Sequence, residues 1–334
     1  RRHRGDPRMT KLLASREALL VLAIAVLLGV IAWRFPAFVV PSNLLNVFND
    51  TSPLILLAIG QMVVILTKCI DLSVAANLAL TGMVVSLINI VAPGLPVIFI
   101  VLIAIGFGTL LGMFNGILVW KLAIPPIVVT LGTMTIFRGI IFLLTEGKWV
   151  NSHEMSDSFK SVPRTDLLGL PILSWIAIAT VILFTVVMTR TSLGRAFYAA
   201  GGNPHAATYA GINVGKTQFW AFTVSGAIAG LAGYLWVSRF AVAYVDVAGG
   251  FELTVVAACV IGGVSIMGGV GTVFGALLGA LFLGIIANAL PVVNISPFSQ
   301  MAISGGAIII AVILNAQANR TPGRIILKKA EHAT

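Results

Sequence analysis

The chain has 334 residues, of which 58% are hydrophobic and only 10% charged, with a net charge of +10 and a mean hydropathy of +1.04. A water-facing domain carries roughly 25% charged residues, so this composition excludes an ordinary soluble protein and fits one bundle whose exterior is solvated by lipid. The basic residues are scattered between apolar runs, which argues against a nucleic-acid footprint and for a membrane-orientation bias.

A span needs about 20 apolar residues. Ten candidates follow in chain order: 17–33, 52–67, 74–92, 96–120, 126–145, 171–189, 217–239, 252–267, 271–290 and 299–315. The first follows a basic segment as in a signal peptide, but Trp33-Arg34-Phe35-Pro36 offers no small-residue cleavage site, so it is read as uncleaved. Two candidates, 52–67 and 252–267, are short enough to be half-helices. The domain reading is a tail at 1–16, a membrane domain at 17–315 and a tail at 316–334.

Ten spans put both termini on one side. Of the 21 Lys and Arg residues, fifteen then fall on that side, in the two tails and at Lys68, Lys121, Arg190, Arg195 and Lys216. Five fall opposite, at Arg34, Lys148, Lys160, Arg164 and Arg239, and Arg138 lies within a span. The positive-inside bias therefore predicts cytoplasmic termini in a multi-pass inner-membrane protein. It also predicts a large external loop at 146–170 and a large cytoplasmic loop at 190–216. Spans 2–5 and 7–10 would run in opposite senses, the arrangement of an inverted repeat. The fold class is thus an all-α polytopic helical bundle of about ten spans. Glycines recur four apart, as in Gly108-x3-Gly112-x3-Gly116, Gly226-x3-Gly230 and Gly271-x3-Gly275-x3-Gly279. Such stripes let helix backbones approach closely and predict compact packing, no more.

No catalytic or metal constellation emerges. Cys69 and Cys259 stand alone, and His3, His153, His205 and His332 are far apart and outside the spans. Gly211-Ile-Asn-Val-Gly215-Lys216-Thr217 resembles a phosphate-binding loop but has three residues where four are required. No cofactor is expected, and any ATP would be bound by another chain. Two ionisable residues are candidates at membrane depth, where burial is costly. Asp71 is read as capping a helix that starts near Leu72, or as an interface residue. Arg138, near Thr130, Thr133 and Thr135, either pairs internally, snorkels or faces a water-filled path.

Six segments carry a family resemblance. Ile70-Asp71-Leu72-Ser73-Val74 is similar to the DLSVG segment of ribose-type sugar permeases of bacterial ATP-binding-cassette importers. Asn115-Gly116-x-Leu118-Val119 and Pro126–Met134 with Arg138-Gly139 resemble two further signatures, followed by Thr191–Asn203, Ala206-Ala207-x3-Gly211-Ile212 and Ala257–Gly271. Ala75 departs from the family's usual Gly. The resemblance implies a homodimer or heterodimer of permease subunits in lipid, cytoplasmic ATPase subunits beneath, and a periplasmic sugar-binding protein above. It implies transport without enzyme activity, and makes Asn115, Thr130, Thr133 and Arg138 candidates for the translocation path, with Asp71 and Ser73 a structural motif. It assigns Gly194, Arg195, Gly201, Asn203, Ala206, Ala207 and Gly211 to ATPase coupling, with Ala206 and Ala207 at the contact and Arg195 holding the loop to its own bundle. Asn203-Pro204 suits a helix start. Gly147-Lys148-Trp149 resembles permeases for rhamnose or a furanosyl signal. A secondary active transporter is the alternative, but it would need more intramembrane acids than Asp71 alone.

Overall fold

The computed structural model describes residues 16–292 and, beyond them, Ser299, Ala302, Gly305, Gly306 and Ile309. Among the described residues it has twelve α-helices, eight of them long and apolar enough to cross a membrane. In chain order the eight are α1 (Arg16–Arg34), α2 (Pro41–Leu66), α3 (Val74–Val91), α4 (Val97–Lys121), α5 (Pro126–Thr145), α7 (Ile172–Arg190), α10 (Val214–Phe240) and α12 (Val273–Val292). The shorter ones are α6 (Asp157–Ser161), α8 (Ser192–Gly202), α9 (Pro204–Tyr209) and α11 (Phe251–Ile261). The only sheet among the described residues is a two-residue hairpin pairing Asp166–Leu167 with Leu170–Pro171.

Local chemistry sets many of the ends. Pro41, Pro126 and Pro204 open α2, α5 and α9, where the missing N–H is one the helix could not use. Asn213 accepts from the Lys216 N–H at 2.9 Å and starts α10, so Gly215-Lys216-Thr217 is a capped helix start and not a phosphate loop.

Two spans differ from expectation. The second is not short: α2 runs for 26 residues, and of the polar residues ahead of its apolar run Asn49, Thr51 and Ser52 are buried by neighbours that hydropathy does not see, while Ser42, Asn46 and Asp50 are exposed. Asn49, for example, accepts from the Ser174 hydroxyl of α7 at 3.0 Å. The eighth is shorter still. α11 has 11 residues, or about 16 Å against the ~30 Å hydrocarbon core. It gives way to a non-helical segment, 262–272, with positive φ at Gly263, Gly268, Gly269 and Gly271. The tenth expected span, 299–315, and both tails fall largely outside the described residues.

Burial is inverted relative to a soluble protein. Every residue from Thr51 to Thr67 of the central α2 segment is buried, and most of α10 is too. The most hydropathic helix, α4, lies at the periphery and exposes Ile98, Leu102 and Leu110. The packing partners exchange between the two halves: α4 lies along α10 and α2 along α12, while α2 and α10 also touch each other. The glycine stripes make the closest crossing, with Gly108 and Gly112 of α4 against Gly226 and Gly230 of α10. The Gly275 and Gly279 stripe of α12 receives Gly262 and Ala258.

Candidate functional site

At the end of the bundle that gathers Lys68, Lys121, Arg190 and Lys216, the chain between α2 and α3 is not helical, and Asp71 is buried there at 2% exposure. Its Oδ1 accepts from the Ser73 N–H at 2.9 Å and from the Ser73 hydroxyl at 2.6 Å. This is a turn closed by an Asp side chain two residues back. Asp71 therefore ties the turn just before α3 and does not itself cap the helix, whose cap position is Ser73. With its amide oxygen and nitrogen assigned from the groups they face, Gln61 completes the turn from α2, accepting from Asp71 N and donating to Asp71 O at 3.1 Å each.

Two residues expected on a transport path join this knot. Asn115 of α4 donates to the Ser73 hydroxyl at 2.8 Å, and the Thr130 hydroxyl of α5 has Ile70 O at 3.2 Å and Pro126 O of its own helix at 3.0 Å as acceptors for its one proton. Asn115, Thr130 and Thr133 are at most 2% exposed in this chain. Thr133 bonds only within its own helix, to Thr130 O at 3.4 Å. Ala75 is fully buried on α3 beside the knot. Gln61 and the α10 residue Gln218, which donates to Thr67 O at 3.2 Å, are members the sequence did not single out. A buried Gln in a long apolar run was the available signal.

Arg138 stands apart from the other path candidates. Its Nη1 donates to Val245 O and Val247 O, both at 2.6 Å, with Asp246 and Glu252 near enough to act on it electrostatically. It thus staples the connection that leads into the half-helix α11. Around it, Val150 and Ala243 exchange two backbone hydrogen bonds at 2.9 Å, and Trp149 stacks on Tyr244 at 4.7 Å. Arg239 and Asp50 form an ion pair at the same end.

Among the described residues some open space has a polar lining, with Asp50, Thr254 and Asn288 on one pocket and Glu146, Lys148 and Glu154 on another, but one cleft is apolar. A cleft of about 420 Å³ is walled by Ile70 and Leu72 of the Asp71 turn, Ile127 of α5, Leu253, Val256, Ala257 and Val260 of α11, Ile266 and Gly305. Nothing in the sequence distinguishes these residues from lipid-facing ones.

The 190–216 loop is a helical hairpin of α8 and α9. Thr191 accepts from Gly194 N at 3.1 Å, and Asn203 accepts from Ala206 N at 3.0 Å, so each helix is capped. Gly194 packs on Val187 and Met188 of α7, and Gly211 turns the chain with φ +83°. Two placements differ from expectation. Ala207 is 4% exposed and faces its own bundle, because one side of this short helix is used to pack. Ala206 and Tyr209, the latter 94% exposed, form the outer side instead. Arg195 is exposed and its guanidinium bonds to no described residue, so it does not hold the loop to the bundle. Tyr198 of α8 does: its hydroxyl donates to Gly271 O at 2.8 Å, and burial pushes its pKa above the ordinary tyrosine value.

The described residues thus form a multi-pass helical bundle with a broken span and a helical hairpin at one end. Comparison with known proteins sharpens this. The family described as branched-chain amino acid transport system / permease component matches residues 43–312, and the chain belongs to that family. It is similar to the ribose import permease protein RbsC of Haemophilus influenzae, 36% identical over 87% of this chain and 90% of the relative. The autoinducer 2 import system permease protein LsrC of Enterobacter sp. is 37% identical over 92% of this chain and 88% of its own length. RbsC of Escherichia coli K12 is 35% identical over 88% and 92%. No solved structure matches. The chain is accordingly a permease subunit of an importer, and not an enzyme.

Proposed function

We propose that two permease subunits, this chain and either a second copy or a homologue, enclose a path for a monosaccharide or sugar-like molecule in the bacterial inner membrane. A periplasmic binding protein delivers the molecule on the 146–170 side. ATPase subunits on the α8–α9 side bind and hydrolyse ATP. The observation that carries this reading is the capped hairpin, which presents Ala206, Tyr209 and Arg195 outward from the basic end of the bundle. Relatives named for ribose and autoinducer 2 import support a sugar-like cargo.

The candidate path wall is the apolar cleft between the Asp71 turn, α5 and α11. A wall without hydrogen-bonding groups gives a sugar nothing to bind, so selectivity falls to the partner that delivers it. Asp71, Ser73, Asn115 and Thr130 act behind that wall, fixing the shape of the turn that carries Ile70 and Leu72. In this reading Arg138 shapes the outer end of the path through the 241–250 connection, and Thr133 is a helix residue.

The test is uptake by vesicles containing the permease, the ATPase and the binding protein. ATP-dependent accumulation of labelled ribose, rhamnose or a furanosyl signal is expected for one of them. Accumulation driven by an ion gradient with no ATPase present would replace this reading with a secondary transporter.

A further inference from the structure

We infer that the outer end of α5 carries a sugar-binding site of the permease itself, built on the indole of Trp149 with Glu146, Lys148 and Glu154 around it. A monosaccharide rests there between its delivery and its passage along α5. The inference deepens the proposed function and rests on it.

The site is a cavity of about 360 Å³ on the 146–170 side, within the ~300–1,000 Å³ usual for small-molecule sites. One side is apolar, from α3 and the last turn of α5. Glu146 and Gly147 then take left-handed φ of +52° and +76°. That ends α5 and turns the chain, so that Lys148 and Trp149 line the cavity as well.

Trp149 is fixed in advance. Its neighbour Val150 exchanges backbone hydrogen bonds with Ala243, and Tyr244 stacks on the indole with 21° between the ring planes. Tyr244 does not line the cavity, whereas Trp149 does and is 57% exposed. The ring surface that Tyr244 leaves open is therefore what the cavity receives. The polar groups are largely unspent. Glu154 uses Oε2 on the Asn151 N–H at 2.8 Å, and its Oε1 bonds to no described residue. Glu146 and Lys148 pair at 3.4 Å on side chains about four-fifths exposed, a contact that water screens and a ligand displaces at little cost.

This combination suits a monosaccharide. A sugar ring shows C–H bonds on one face, which rest on the negative face of an aromatic ring. Its hydroxyls donate to carboxylates and accept from an ammonium. The lining has two carboxylates and one ammonium, so a phosphate is disfavoured, while a neutral polyhydroxy ligand is not. Placement agrees. Thr145 lines this cavity and Ile127 lines the apolar cleft. They stand 18 residues apart on α5, which is five full turns, so they share a face with about 27 Å between them. Arg138 lies on that face between them. One face of α5 thus joins the outer cavity to the cleft. The site must hold its ligand weakly, since conduction needs binding that permits release.

The test titrates labelled ribose, rhamnose and furanosyl signal against the full chain in nanodiscs of phosphatidylcholine and, separately, of phosphatidylethanolamine. No ATPase or binding protein is present. The sugar that the complete transporter accumulates under ATP should bind saturably, in the millimolar range and equally in both lipids. Trp149→Leu and Glu154→Gln should each weaken binding by roughly three- to tenfold, the size of a ring-stacking contact. Trp149→Phe keeps a ring and should lose less than Trp149→Leu. Trp33→Phe, at an exposed position of α1, should match the parent. In complete vesicles Trp149→Leu should slow uptake while the binding protein still co-sediments with them. No binding of a sugar that the complete transporter does accumulate overturns the inference and leaves the proposed function standing. So does equal binding by the parent, Trp149→Leu and Glu154→Gln. Loss of binding-protein association from Trp149→Leu overturns it in favour of a docking surface, and sugar binding abolished by phosphatidylethanolamine overturns it in favour of a lipid headgroup. A complete transporter that accumulates none of the three under ATP refutes the proposed function, and the inference with it.

Discussion

The crossing of α4 and α10 offers a perturbation whose size can be worked from distances. A Cβ on Gly108 would stand 2.5 Å from Gly226 O and 2.5 Å from Gly230 Cα, where ordinary contact begins at 3.4 Å. Gly108→Ala must therefore part the two helices by about 0.9 Å. Gly108 O also accepts from Asn77 Nδ2 at 3.1 Å, so the same shift strains the tie between α3 and α4. Overpacking of this kind costs about 1–3 kcal/mol. The alanine also gains roughly 0.8–1 kcal/mol of helix propensity, which would mask part of the loss. Gly106→Ala on the same helix removes that ambiguity, because nothing lies within 4 Å of its Cβ. The difference between the two variants then reports the contact alone. At roughly 2–4 °C per kcal/mol, Gly108→Ala should melt about 5 °C below Gly106→Ala in detergent, followed by tryptophan fluorescence or by loss of the monodisperse peak after heating. Equal midpoints would refute the close crossing as a source of stability.

The Asp71 turn predicts a contrast between two substitutions. Asp71→Asn keeps an oxygen for the Ser73 N–H and hydroxyl and should melt near the parent. Asp71→Ala strands two buried donors and should lose about 2–6 kcal/mol, at roughly 1–3 per unsatisfied group, read as a lower midpoint in the same assay. Arg138→Ala should release the 241–250 connection, so hydrogen exchange there should rise while α7 stays protected; unchanged exchange at 241–250 would remove Arg138 as the staple. Single cysteines at Ser158 and Thr208, both exposed, should be labelled by an impermeant thiol reagent from opposite sides of the membrane, Ser158 from outside; the native Cys69 and Cys259 are buried and give little background. Labelling of Thr208 in intact spheroplasts would overturn the orientation.

Much of the architecture was legible because lipid imposes a simple rule: a span must satisfy its own backbone and show apolar side chains outward. Seven expected spans agree with the helices to within three residues at each end. The shortness of 252–267 was also visible. The misreadings share one cause, which is that hydropathy treats every residue as if it faced solvent. The start of α2 reads as polar, but Asn49 bonds across to Ser174 of α7 and Thr51 bonds back to Val47 O of its own helix. Ala206 and Ala207 are identical in sequence and opposite in burial, because only packing decides which side of α9 meets the bundle.

The sequence by itself determined that this is an all-α membrane protein, where most of its long helices begin, which end is basic, and its resemblance to sugar import permeases. These follow from local chemistry and composition. Only the tertiary structure decided that Asn115 and Thr130 close around the Asp71 turn while Arg138 staples the opposite end. It alone brought Leu66, Gly201 and Gly269, more than 200 residues apart at the extremes, into one backbone contact. A glycine stripe or a buried amide shows in sequence that something approaches closely. What approaches depends on how helices cross, and that is set by the sum of contacts along their whole length.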